Sequence, residues 1–167
     1  RKEVKMYRNQ LKKIEKMLSQ TSTLTQNYKK VLMVSMEHGD LETALYLRFL
    51  MELSVRSRDA LKITPDCVNG RDVKATCMKF QSTLYYLRPD GSLPVISEKT
   101  KQIADALVRK QGCYFTKTWE AYLHRIRKYA GEKEVSLLLH DLRKYRVLVE
   151  ERLYLRRLLK QVHSGDR

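Results

Sequence analysis

A chain of 167 residues with 34 Lys and Arg against 19 Asp and Glu carries a formal charge of +15, a surplus that asks for an acidic partner. At this length and 43 % hydrophobic content the expectation is one domain with a real core. The longest apolar stretches, Val31-Leu32-Met33-Val34 and Leu137-Leu138-Leu139, fall far short of the ~20 residues a membrane span needs, so a transmembrane helix is excluded.

From the N-terminus, Arg1-Lys2-Glu3-Val4-Lys5 leads into no apolar stretch of the signal-peptide kind. Val4, Tyr7, Leu11, Ile14 and Leu18 then step by three and four, and after a polar break Leu24, Tyr28, Val31, Leu32 and Ser35 continue the helical period. The two form an expected helical hairpin over 1–38. Asp40, following Gly39, is the expected N-cap of a helix bearing Leu41, Ala44, Leu45, Leu47, Leu50, Met51 and Leu53, whose apolar stripe is wider than one face. Such a helix should be central. Thr64-Pro65-Asp66 reads as a cap, a proline at the first helical position and a first-turn acid, with the short segment ending at Asn69-Gly70. Val73, Cys77, Phe80, Leu84 and Leu87, alternating steps of four and three, predict a further helix up to the turn Arg88-Pro89-Asp90-Gly91. Ile96, Ile103 and Leu107 form the next stripe, closed by Gly112; Trp119, Tyr122, Leu123, Ile126 and Tyr129 form another, closed by Gly131. No breaker interrupts the remainder, so a long final helix is expected over 132–163, after central helices over 40–131. No strand alternation or Asn-Gly hairpin is expected. The reading is all-α: one domain of six or seven helices with a long C-terminal helix.

Charge is uneven along the chain. Residues 1–30 hold nine basic and two acidic side chains and 99–128 hold eight and two, whereas 31–98 hold eight and nine. Neutral central helices flanked by cationic ones would orient an anionic partner. Catalytic constellations are absent from the pattern. Cys67, Cys77 and Cys113 with His38, His124, His140 and His163 lack metal-ligand spacing. The single glycines build no phosphate loop, and the adjacent Glu150 and Glu151 point about 100° apart on a helix, which cannot make an acid/base pair. No cofactor and no enzyme activity are expected. The unpaired cysteine spacing suggests a reducing, intracellular compartment.

Recognition remains. The stretch Lys16-Met17-Leu18, then Asn27, Val31, Gly39-Asp40-Leu41-Glu42-Thr43, Leu53-Ser54-Val55, Asp59, Leu61 and Ile63 resembles the C-terminal domain of the katanin regulatory subunit. Gly112-Cys113 and Glu150-Glu151-Arg152-Leu153 with Lys160-Gln161 are similar to the same family; the stretch from Thr64 to Ser97 is longer than its matched blocks would have it. The resemblance implies a solenoid-like helical array acting as a non-catalytic targeting subunit that binds the N-terminal domain of a microtubule-severing AAA ATPase and adds microtubule affinity, in the cytoplasm at microtubules, spindle or centrosome. Glutamate-rich tubulin tails would be the acidic partner. The residues chosen for it from charge and exposure are Lys12, Lys13 and Lys16; Arg125, Arg127 and Lys128; and Arg143, Lys144, Arg156, Arg157 and Lys160. Tyr28, Val31, Leu32 and Leu47 are chosen for docking the partner subunit.

Two other readings stand beside it. Val55, Leu61, Thr64 and Val95-Ile96-Ser97-Glu98-Lys99 also look like the small helical domains of transcription-elongation and chromatin adaptors, which capture acidic-aromatic peptides in the nucleus. The third is a basic helical nucleic-acid binder, whose candidate platforms are Tyr28-Lys29-Lys30, Tyr85-Tyr86 and Lys144-Tyr145-Arg146.

Overall fold

Asp40 starts the helix around which the others are arranged. In the computed structural model, which describes residues 1–80 and 84–165, its carboxylate accepts the Thr43 N–H at 3.2 Å and caps α3 (Leu41–Leu53). Eight of the thirteen α3 residues are buried, and together they cover every side of the helix. The wide stripe is therefore spent inside the chain: α2 (Ser22–Glu37), α5 (Glu98–Gln111), α6 (Trp119–Glu132) and the first half of α7 (Leu139–Gly165) all pack on α3. Ser54, in the left-handed conformation, ends α3, and the single turn α4 (Ser57–Ala60) follows. With α1 (Lys2–Leu18), seven α-helices are present among the described residues, an all-α domain with a long C-terminal helix of 27 residues.

Three expectations are corrected by the structure. No α-helix forms among the described residues from Val73 to Leu87; residues 81–83 of that expected helix lie outside them. Instead the chain turns a hairpin at Gly70-Arg71: β1 (Val68–Asn69) pairs antiparallel with β2 (Asp72–Val73), and Gly70 takes φ +62 at the first of the two turn positions. The chain then bridges Thr76 to Tyr85 and Asp72 to Val95. Leu84 and Leu87 are 55 % and 57 % exposed, so the helical spacing there did not mark a buried face; the side chain of Phe80 lies outside the described residues. Tyr86 anchors this segment by hydrogen bonding the buried Asp59, and Arg56 donates to both Tyr86 Oη and Cys77 Sγ at 3.3 Å.

The second correction concerns the last helix, which starts at Leu139 and not near 132. Gly131 lies inside α6, and the left-handed residue that breaks the chain is Glu134, φ +55, while the Val135 N–H bonds back to the Ala130 carbonyl. The third is the hairpin over 1–38. α1 lies along the second half of α7, antiparallel to it, as the pairs Arg8–His163 and Glu15–Arg156 show, while α2 packs on α3 and α6.

Ser97 and Thr118 accept the Thr100 and Ala121 N–H groups at the starts of α5 and α6, and Gly112 ends α5 with φ +79. Glu52 on α3 fixes the start of α5, accepting the Ser97 N–H and the Thr100 hydroxyl, each at 2.6 Å.

Candidate functional site

Two consecutive turns of α6 grip the first turn of α3. Tyr122 and Tyr129, seven residues apart and so on one face of α6, point their hydroxyls at the two carboxylates that open α3. Tyr129 donates to Asp40 Oδ2 at 2.7 Å, and Tyr122 donates to Glu42. Asp40 also accepts the Thr43 hydroxyl at 2.7 Å and pairs with Arg125 at 3.0 Å; Glu42 also accepts the Thr116 N–H at 2.7 Å. Burial pushes both carboxyls up, but these bonds outweigh it and hold both below the usual carboxylate range. The phenols move the other way. Burial, then the bond to Asp40, pushes Tyr129 up to about 12, and Tyr122 is raised by burial and by Glu42. His38 stacks on Tyr129 at 4.9 Å and its Nε2 lies 3.0 Å from Glu132.

Above these carboxylates opens a cleft of about 520 Å³, walled by the α2–α3 junction, the end of α5, the α5–α6 connection and α6. Its charged lining is Lys110, Lys117, Arg125 and Lys128 against Asp40 and Glu42, a surplus of two positive charges, with His124 beside them. Both carboxylates are engaged by internal donors. The side chains of Lys110, Lys117, His124 and Lys128 are exposed and make no hydrogen bond or ion pair with the described residues, although Lys117 lies within the field of Glu42. The arrangement presents cations whose charge is available and anions whose acceptor oxygens are already occupied.

A second basic surface comes from the pairing of α1 with α7. It brings Lys12, Lys13 and Lys16 to the same arm as Arg156, Arg157 and Lys160. Of the eleven cations chosen from the sequence, four are occupied: Arg125 by Asp40, Arg156 by Glu15 at 2.7 Å, Arg157 by Asp90 at 3.3 Å, and Arg143, whose Nε donates to the Ser54 carbonyl at 3.1 Å. Lys12, Lys13, Lys16, Arg127, Lys128, Lys144 and Lys160 are exposed. They do not form one patch: Arg127 and Lys128 belong to α6, Lys144 to the first half of α7, and the rest to the arm. Sequence reasoning passed over Lys110, Lys117 and His124, for they lie on different elements and only the contact of α5 and α6 with α3 gathers them.

Compared with family models, curated proteins and solved structures, the chain finds no match.

The four residues chosen for docking a partner subunit are corrected by burial. Tyr28, Val31 and Leu47 are buried in the chain's own core, and Leu32 is half-buried against it. Burial raises the Tyr28 phenol, with Arg48 and Glu52 acting on it in opposite directions, the behaviour of a core tyrosine. The reason is the central position of α3, which leaves the adjoining faces of α2 and α3 no side to offer a partner.

Proposed function

We propose that the protein is a non-catalytic targeting module that captures an acidic, disordered polypeptide, with glutamate-rich tubulin tails the first candidate, in keeping with the family it resembles. The observation that carries this reading is the α5–α6 cleft: exposed Lys110, Lys117 and Lys128 without partners, over carboxylates whose oxygens are bonded inward. A flexible acidic chain can follow such a cleft and continue to the lysines on other helices. Each contact is weak and salt-screened, since the Debye length is about 8 Å at physiological ionic strength. Affinity then comes from many glutamates meeting many lysines. The second partner the resemblance implies, the N-terminal domain of a severing ATPase, would have to dock away from the α2–α3 core.

The nucleic-acid reading has less support. Binding a single strand needs aromatic rings exposed among cations. Tyr28 is buried, Tyr86 is bonded to Asp59, and the exposed Tyr85 already lies under Lys74 Nζ at 4.6 Å.

The test is co-sedimentation with microtubules. Replacing Lys110, Lys117 and Lys128 together by Glu should weaken pelleting by about tenfold or more at low salt, with unchanged far-UV circular dichroism. Microtubules stripped of their acidic tails should release the wild-type chain to a similar degree. Equal pelleting of the triple variant and the wild type would overturn the proposal. Tighter capture of short oligonucleotides than of tubulin would move it to nucleic acid.

A further inference from the structure

The arm formed by α1 and the second half of α7 has an unfinished side. α7 is the one element against which α1 packs extensively, and beyond Leu148 α7 is otherwise flanked by the turn at Arg88, Pro89 and Asp90, which meets Glu150, Leu153, Tyr154 and Arg157. Among the described residues of α1 and of α7 from 149 onward, only Ile14 and Leu155 are buried. Two helices and one turn leave the apolar stripe of either helix incompletely covered, and an amphipathic helix gains most of its stability by burying that stripe.

The uncovered side is a groove of about 530 Å³. Tyr7, Ile14 and Met17 line it from α1, at the turn-by-turn spacing of one helix face, and Leu148, Leu155 and Leu158 line it from α7. Ile14 and Leu155 form its floor. Met17 at its edge is 48 % exposed, a flexible thioether of the sort that adapts to an incoming side chain. A groove between two antiparallel helices accepts the ridge of a third.

Charge identifies the occupant. The α1 rim carries Lys13, and the adjoining outer face of α1 carries Lys2 and Lys5 around the exposed Met6. On the α7 wall stands Glu151. A second copy of this chain would bring its own +15 to a cationic rim and be repelled. We infer that the groove between α1 and α7 docks an amphipathic helix of a partner protein, its apolar stripe on Ile14 and Leu155 and an acidic edge along the lysines of α1. The opposite edge of that helix meets Glu151 and accommodates a basic residue there. This site is separate from the α5–α6 cleft and does not depend on tubulin tails being the ligand of the cleft.

The probe is a labelled synthetic helical peptide with leucines at i, i+3, i+4 and i+7 and glutamates along one edge, titrated into the full chain by fluorescence anisotropy. The same peptide with lysines on that edge is the control. The glutamate peptide should saturate and shift the methyl resonances of Ile14 and Leu155, and the lysine peptide should bind at least about tenfold more weakly. Met17→Glu and Lys13→Glu, both at exposed positions, should each weaken the glutamate peptide by about tenfold while preserving helicity. Met17→Glu should leave microtubule pelleting unchanged, so failure at the groove and failure at the cleft are read separately. Equal affinity for the two peptides, indifference to Met17→Glu, or methyl shifts confined to other helices would overturn the inference. So would a concentration-dependent dimer in sedimentation equilibrium that Met17→Glu abolishes, which would make a second copy the occupant.

Discussion

Asp40→Ala should lower the unfolding free energy by about 2–4 kcal/mol, read as a shift of the urea midpoint at constant slope. Three losses coincide at one carboxylate. The first is the N-cap of α3, a bond typically worth about 0.5–2 kcal/mol. The second is the acceptor of Tyr129, whose buried hydroxyl would be left without its partner at a further cost of about 1–3 kcal/mol. The third is the partner of Arg125, which lies 3.0 Å away and is one-third exposed, so its loss adds little. The side chain of Asp40 is itself only 7 % exposed, which leaves water little access to replace these bonds. Asp40→Asn keeps a capping oxygen and should cost less than Asp40→Ala; the difference between the two variants isolates the charge.

The same carboxylate gives a pH signature. Asp40 and Glu42 both titrate below their ordinary values in the folded chain, so the unfolded chain binds protons more readily than the folded one. Their contribution is fully present above the ordinary carboxylate range, above about pH 5, and is lost as the pH falls through the lowered folded values. Wild-type stability should therefore decline steeply below about pH 4, and the curve for Asp40→Ala should be flatter there, since that variant has already lost the Asp40 share. Parallel curves for the two proteins would show that Asp40 is not held as the structure has it.

The other large effect belongs to the core. Phe49→Ala should cost about 3–5 kcal/mol, a large share of the 5–15 kcal/mol that holds an ordinary domain together. Phe49 is fully buried on α3 and meets Tyr114 and Phe115 edge-on, each ring centre 5.9 Å away. Phe115 in turn meets Tyr46 and Tyr122 edge-on. This geometry places the positive ring edges against negative faces, so truncation removes ring–ring attraction as well as apolar burial. Phe115 precedes Thr116, which bonds Glu42, and Lys117, which lines the cleft. Phe49→Ala should thus loosen the cleft wall as well as the core, and its microtubule pelleting should fall further than its remaining helicity at the same temperature. Phe49→Leu, closer in volume, should recover most of the stability.

These two residues mark how far the sequence could be read. Asp40 was legible as a cap because capping needs only a short polar acceptor beside the first turn, a local requirement. The central place of α3 was legible because a helix apolar on more than one face must be surrounded. What could not be read was which neighbours surround it. Tyr28, Val31 and Leu47 carry the composition of a docking face and of a core face equally well, and only the packing of α5, α6 and α7 on α3 made them core. Val73 to Leu87 misled for a related reason: apolar spacing marks a helix only if the marked face is buried, and Leu84 and Leu87 are exposed. Gly70 was the better local signal, since a glycine at positive φ in the first of two turn positions, here between the paired Asn69 and Asp72, turns a hairpin whatever the spacing downstream.

By itself the amino-acid sequence determined the helical class, the caps at Asp40 and Gly112, the central helix and the large positive charge, because each of these depends on residues within a few turns of one another or on a plain sum. The tertiary structure decided which of those charges can act. Arg125, Arg156 and Arg157 are paired with Asp40, Glu15 and Asp90, carboxylates 85, 141 and 67 residues away, while Lys110, Lys117 and Lys128 are gathered over one cleft and left unpaired. A charge is spent or available according to what lies within a few ångströms of it, and for these side chains that neighbour comes from a distant part of the chain.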